Sequence, residues 1–284
     1  MEEIGEAPCS FAFIGLGSVG RKEQTLATDQ DNAIIFDDEM TGNEEVIAYF
    51  KLFAEKVNTH LKSVGYQLCK GEVMARNPKW TQPLRMWKKY FTEWINSADP
   101  QSVLDACIFF DFRCLYGDEQ FISDLNKHVN ETVENKAVFF QHMTASVMNW
   151  KSPVTIFGSI VGISKSESED IFDIKKVLLP LTSFIRIYSI KNKISETNSL
   201  KRLDELQKSE IIKSPLYDEL KMAYNYLMLM RFRSQAEQLF EGLMPDNFIK
   251  VSKLNDIEIT TLKKVFSHIA ELQTKVSFDF KGSA

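Results

Sequence analysis

The sequence predicts an α+β protein: a small mixed-sheet domain over residues 1–118, followed by an α-helical bundle over residues 119–284. Three observations predict it. Two short apolar runs, at 11–16 and 33–36, have strand length and flank a Gly-Ser turn. Apolar residues then recur at helical spacing from 44 to 64. Beyond residue 119 the chain reads almost wholly as helices.

The elements follow in order. Residues 1–10 form a polar lead-in, and residues 11–36 hold two strands with a turn between them. Val46, Ile47, Phe50, Phe53, Ala54, Val57 and Leu61 make one apolar face of a helix over 44–64, which Gly65 stops. A helix is expected over 82–97, with Asp99-Pro100 breaking the pattern. Residues 103–113 are expected to run from a helical turn into a strand, and Gly117-Asp118 to open a helix reaching residue 148. Ile171, Ile174, Val177, Leu178, Leu181, Phe184, Ile185 and Tyr188 predict a helix over 170–190, with Pro180 placed to kink or split it. Further helices are expected at 198–208, 215–241 and 255–277. Asn198-Ser199 and Asn255 serve as N-caps, and Gly242 and Pro245 as stop signals. The polar stretch 164–170, preceded by Gly158 and Gly162, reads as an exposed connecting loop. Trp80, Trp87 and Trp94 recur every seven residues and read as core packing between the domains.

The stretch with most chemistry is 15–31. Gly17 and Gly20 let the backbone turn tightly with no Cβ in the way of a ligand. Ser18 is a candidate cap and phosphate donor, and Arg21 offers a fixed cationic fork suited to phosphate. Asp29 and Asp31 are two apart at the start of the next strand, so both carboxylates face one side. Backbone amides at a turn hold phosphate, and paired carboxylates hold divalent metal, so this order of parts suits a metal-bound nucleoside triphosphate. The stretch is no Walker A loop, since no Gly-Lys-Ser/Thr closes it. It is no dinucleotide fingerprint, since no long helix intervenes before the acids.

A Gly-Ser followed about ten residues later by Asp-x-Asp resembles the DNA polymerase β-like nucleotidyltransferase superfamily. The longer strings narrow the likeness. Residues 17–24 (GSVGRKEQ), 28–32 (TDQDN), 69–80 (CKGEVMARNPKW), 109–113 (FFDFR) with 116–118 (YGD), and 229–235 (LMRFRSQ) are similar to the DUF294 branch. That branch is related to the amino-terminal domain of protein-PII uridylyltransferase and is often found with CBS or cyclic-nucleotide-binding domains upstream. The residue between the aspartates is usually apolar in the superfamily; here it is Gln30, followed by Asn32. The resemblance implies transfer of a nucleotide from an NTP to an acceptor hydroxyl, on a protein, with two Mg²⁺ ions.

Such chemistry calls for a third acid. Asp111 is the leading candidate, in the apolar run 106–113. An acid there needs a metal or a partner, and Arg113 shares its face if the run is a strand. Asp111 as metal ligand and Asp111 as structural partner of Arg113 therefore stand side by side, with Asp105 as the weaker third acid. In the first role Asp29, Asp31 and Asp111 are the metal and catalytic set. Gly17, Ser18, Arg21, Lys70 and Arg113 are then the nucleotide contacts. Lys70, Arg76 and Lys79 are placed either to reach triphosphate or to sit in a loop that docks Met74 and Trp80. Arg231, Arg233 and Gln235 read either as cleft residues or as salt-bridging ones.

Composition excludes several classes. Lys+Arg number 34 against 39 Asp+Glu, a net charge of −5, so no basic footprint for nucleic acid is present. No run of about 18 apolar residues predicts a membrane span. Cys9, Cys69, Cys107 and Cys114 form no Cys-x-x-Cys pair and read as reduced thiols of a cytoplasmic protein. The four histidines show no zinc-ligand spacing. Two rival readings remain: an NTP–Mg²⁺-binding regulatory module with little turnover, and a small-molecule modifier of the aminoglycoside type.

Overall fold

The computed structural model describes residues 4–152, 164–166 and 169–281. The chain is α+β, with a small mixed sheet near the amino terminus and a helical region after it. It divides into two compact units. The first takes Met1–Gln24, Thr28–Phe139 and Ser195–Asn198; the second takes Thr25–Ala27, Phe140–Ile194 and Ser199–Ala284.

The first unit is built on β1 (Phe11–Gly15), whose five residues are all buried. A continuous apolar run suits a central strand. After the short helical turn α1 (Gly17–Gly20) and the two-residue β2 (Asp29–Gln30) comes β3 (Asn32–Phe36). β3 runs antiparallel to β1, with Phe11 opposite Phe36 and Gly15 opposite Asn32. α2 (Glu44–Ser63) follows, then β4 (Gln67–Leu68), β5 (Thr81–Pro83), α3 (Leu84–Ile95), α4 (Pro100–Ala106), β6 (Arg113–Gly117) and α5 (Gln120–Thr132). The sheet order is β5-β3-β1-β6, with only the β3–β5 pair parallel.

α2 forms where its apolar period predicts. Asn43 caps it, accepting from the Glu45 and Val46 amides. Its buried Val46, Phe50, Phe53 and Ala54 pack on Phe11, Phe13, Ile34 and Phe36 of the sheet, and Phe36 stacks on Phe50 at 5.4 Å. Each such buried aromatic contributes about 1.5–3 kcal/mol.

The three tryptophans do pack, but within the first unit rather than between domains. Trp80 lies on a 3₁₀ turn ahead of α3, so its register is not helical. Phe109 takes the rings of Trp80 and Trp94 at 4.5 and 4.8 Å, and Trp87 Nε1 donates to the Ile34 carbonyl at 3.0 Å. The run 103–113 departs from its expected strand. α4 passes into a 3₁₀ turn (Cys107–Phe110), and Asp111 ends that turn before β6 begins at Arg113. Asp99 caps α4 and Pro100 fits its first turn, so the breaker of one helix opens the next.

The second unit contains most of α6 (Ala137–Met148), then β7 (Ser164–Ser166), β8 (Glu169–Asp173), α7 (Ile174–Lys191), α8 (Ser199–Lys208), α9 (Leu216–Phe240), β9 (Phe248–Lys250) and α10 (Asp256–Lys281). Of the stretch 164–170, expected as a loop, the described residues 164–166 and 169–170 instead belong to an antiparallel sheet of order β7-β8-β9. Short, polar strands give no alternation to read. Gly158 and Gly162 lie outside the described residues. Pro180 does not split α7, which runs through it. The helix expected from 118 to 148 divides into α5 and α6, with Asn135 at positive φ between them. Asn255 caps α10 as expected, accepting from Ile257 and Glu258 while Glu258 Oε2 accepts from the Asn255 amide. His268, isolated in sequence, stands with Nδ1 3.5 Å from carboxylate oxygens of both Glu219 and Glu271.

No helix among the described residues is long and apolar enough to cross a membrane.

Candidate active site

α1 follows β1 directly, and its geometry depends on two glycines. Gly17 has φ +52°, and a Cβ there would lie 2.8 Å from Ile108 Cγ1 and 3.5 Å from Asp31 Oδ2. The turn is thereby laid against the Asp31 carboxylate. At Gly20 a Cβ would fall 1.8 Å from the Asp111 carbonyl oxygen, so backbone meets backbone there. Ser18 is the second residue of the turn, not its cap. Leu16 holds the N-cap position and no side chain caps the turn. As in any helical start, the amides of the first turn lack intrahelical acceptors.

Asp29 and Asp31 converge with Cys69: one ligand atom of each lies within 4.8 Å of the others. Only Asp29 belongs to a strand proper, and Asp31 bridges β2 and β3. The parallel pairing of Asp29 with Gln67 and Gln30 with Leu68 carries forward to set Cys69 beside Asp31. Asp31 is 6% and Cys69 8% exposed. Burial first, then the hydrogen bond to Asp31, pushes the Cys69 thiol up to about 11.

Gln30 and Asn32, which alternate with the acids, are explained by a buried amide network. Asn58 Nδ2, on α2, donates to Gln30 Oε1 at 2.8 Å and to Asn32 Oδ1 at 3.1 Å. Gln30 Nε2 donates to the Asn58 and Tyr66 carbonyls, each at 3.0 Å. The Ala75 amide donates to Asn32 Oδ1 at 2.9 Å, the Asn32 amide to the Val73 carbonyl, and the Arg76 amide to Asn58 Oδ1. One side of this segment thus presents carboxylates while the other clasps the loop that follows Cys69. Asn58 and Asn32 were missed in the sequence. A polar residue recurring on the apolar face of α2 was the available signal for Asn58.

Asp111 does not join the Asp29–Asp31–Cys69 cluster. It is wholly buried and its Oδ2 lies 2.6 Å from Arg21 Nη1, while Arg21 Nε lies 2.7 Å from Glu23 Oε2. Burial works to lower the Arg21 pKa, but the charges of Asp111 and Glu23 outweigh it and hold the guanidinium above its ordinary value. Arg113 does not pair with Asp111 as its expected strand register required. It donates to the Val19 and Gly20 carbonyls at 3.0 and 3.3 Å. Thr197 Oγ1 also donates to the Gly20 carbonyl, and Asn198 Nδ2 to that of Arg21. These side chains hold the carboxyl end of α1 in place.

Lys70 is exposed. Arg76 pairs with Glu72 at 2.8 Å, Lys79 lies over the Trp80 ring at 4.6 Å, and Met74 and Trp80 are buried, so this loop docks on the core. In the second unit, Gln235 Nε2 and Arg231 Nε donate to Asn247 Oδ1, and Arg233 pairs with Glu258 at 2.6 Å.

A mixed sheet carrying a glycine turn and a pair of converging aspartates is an arrangement suited to phosphate and divalent metal, as a nucleotidyltransferase requires. The family comparisons agree: the family described as "Putative nucleotidyltransferase DUF294" matches residues 1–101, and "Putative nucleotidyltransferase substrate binding domain" matches residues 137–280. The chain belongs to this DUF294 nucleotidyltransferase family. A search of curated proteins finds no match.

Proposed function

We propose that this protein moves an NMP group from a nucleoside triphosphate to an acceptor hydroxyl, releasing pyrophosphate. The observation that carries the reading is the convergence of Asp29 and Asp31 beneath the Gly17 turn. The donor set fits a hard divalent cation. Mg²⁺ takes one or two carboxylates and completes its shell with water and substrate phosphate oxygens. Bound there, Mg²⁺ would supply charge stabilisation for an in-line displacement at the α-phosphate.

Asp29 and Asp31 would hold the cations, two in the fullest form of the reading. Gly17 and Ser18 would present backbone amides and a hydroxyl to the outer phosphates. Arg21 and Arg113 would act on the nucleotide by fixing the shape of α1 rather than by direct contact. Asp111 takes a positioning role through Arg21, or completes the cation set if Arg21 releases it. Lys70 remains the exposed cation on the loop beside the acids. Positioning and electrostatics would supply most of the rate. By resemblance to protein-PII uridylyltransferase, the donor is UTP or ATP and the acceptor a protein tyrosine bound by the helical unit.

One observation favours a second reading. The buried pairing of Asp111 with Arg21 leaves the acid cluster with two carboxylates, which suits an NTP–Mg²⁺ sensor of low turnover.

The test is incubation with Mg²⁺ and each of four NTPs labelled at the α-phosphate, with cell lysate as acceptor source. The expected result is pyrophosphate release with label on one protein band, lost in Asp29→Ala/Asp31→Ala. Metal-dependent NTP binding without transfer from any donor would overturn the transferase in favour of the sensor.

A further inference from the structure

We propose that Asp29, Asp31 and Cys69 together form a site for a thiophilic divalent cation of the Zn²⁺ or Cd²⁺ class, with Cys69 Sγ as the third ligand. The inference rests on the reading that Asp29 and Asp31 hold a cation, and adds a ligand of different chemistry to it.

Three observations meet here. The Cys69 Sγ and one oxygen of each carboxylate already lie within 4.8 Å of one another. Ligands around a tetrahedral Zn²⁺, with bonds of about 2.0–2.3 Å, stand roughly 3.5 Å apart, so closure requires about 1 Å of side-chain movement. The thiol is also held on a defined backbone. β4 pairs with β2 immediately before it, and the Glu72 amide donates to the Cys69 carbonyl at 3.1 Å. The loop after it is tied to Asn32 and Asn58. Finally, Asp31 and Cys69 are both buried, so this group of ligands lies inside the fold and not on open surface.

Ligand softness then separates the cations. Mg²⁺ is indifferent to sulfur and uses the two carboxylates, water and phosphate. Zn²⁺ and Cd²⁺ gain a metal–sulfur bond, with the thiol proton released to solvent. No electron transfer is involved. Two carboxylates and one thiolate around a divalent ion leave one net negative charge, which disfavours a triphosphate beside it. A thiophilic ion would therefore occupy the site and exclude the nucleotide complex.

The experiment uses the full chain, reduced and stripped of metal, titrated with Cd²⁺ while the ultraviolet sulfur-to-cadmium charge-transfer absorbance is followed. Mn²⁺ binding is measured in parallel by electron paramagnetic resonance. The expected result is one equivalent of absorbing Cd²⁺, its midpoint raised by Mn²⁺. The band should vanish in both Cys69→Ser and Cys69→Ala, and the affinity should fall at least about tenfold in Asp31→Asn. Circular dichroism of both Cys69 variants checks that they fold, and Cys9, Cys107 and Cys114 remain as internal controls. A band that persists without Cys69, or is indifferent to Asp31, overturns the proposal. Mn²⁺ binding that needs Asp29 and Asp31 with no Cd²⁺ band defeats the thiophilic site alone. A Cd²⁺ band with no nucleotidyl transfer from any donor defeats the transferase reading alone.

Discussion

Arg21 Nη1 stands 2.6 Å from Asp111 Oδ2, joining residues 90 apart in sequence, and the Asp111 side chain is wholly buried. Arg21 follows the glycine turn and Asp111 precedes β6. The pair therefore ties the turn to the sheet.

Removing one partner strands a charge. Asp111→Ala is expected to cost about 3–5 kcal/mol, because Arg21 then keeps only Glu23. Urea denaturation at neutral pH measures it. The Arg21→Met/Asp111→Leu double variant should recover only part of the loss, since it removes both charges of this pair but also takes Arg21 away from the buried Glu23.

Gly20→Ala brings carbon and oxygen to 1.8 Å, which no side-chain rotation relieves because the oxygen belongs to the Asp111 backbone. The variant should lose at least about 3 kcal/mol and melt many degrees lower. Gly17→Ala should cost less, about 1–2 kcal/mol for the left-handed backbone plus the push on Ile108. Thermal unfolding of both variants checks the order.

Asn58→Leu is expected to destabilise by about 1–3 kcal/mol for each buried amide group it orphans. Its local signature is specific. The backbone amides of Ala75 and Arg76 lose their acceptor arrangement and should exchange hydrogen faster, while those of β1 stay protected. Peptide-resolved hydrogen exchange reads this.

Asp29→Asn/Asp31→Asn should abolish Mn²⁺ binding and lower any nucleotidyl transfer by at least about 100-fold. Stability without metal should not fall, because the substitution relieves repulsion between two converging carboxylates. A Mn²⁺ titration and a melting curve in chelator give the two readings.

The second unit carries a pH-sensitive pair, in which Tyr188 donates its hydroxyl to Asp279. Burial first, then that hydrogen bond, raises the phenol above 10.0. Partial burial works to raise Asp279, but the bonds from Tyr188 and Lys275 outweigh it and hold the carboxyl below 3.8. A depressed carboxylate stabilises above its unfolded value and loses that contribution as pH falls through the folded one. A raised phenol stabilises below pH 10 and loses it above. Tyr188→Phe should therefore flatten both the acid and the alkaline limb of the stability profile, measured by denaturation between pH 3 and 11.

What was legible in the sequence follows the range of the signal. β1, α2 and the convergence of Asp29 with Asp31 rest on apolar period and i, i+2 geometry, both local, and they form as expected. The strand expected at Asp111 did not form, because the apolar run there serves a 3₁₀ turn whose rings fill the core, and period alone does not separate the two. The pairing of Arg21 with Asp111 and of Arg113 with the Val19 carbonyl was not legible, since each joins residues some 90 apart. The β7-β8-β9 sheet was missed for the same reason: β8 pairs with β9, about 80 residues on, and its own sequence is short and acidic.

The amides between and after the two aspartates have a consequence for descent. Gln30 and Asn32 are matched donor for acceptor to one residue of α2, Asn58, so a lineage cannot trade any one of them for an aliphatic residue by a single neutral step. The apolar alternative usual between such acids would have to arrive together with a changed helix face. The three positions are expected to be inherited as a block, and their joint state to mark branches of the family more sharply than Asp29 and Asp31 do.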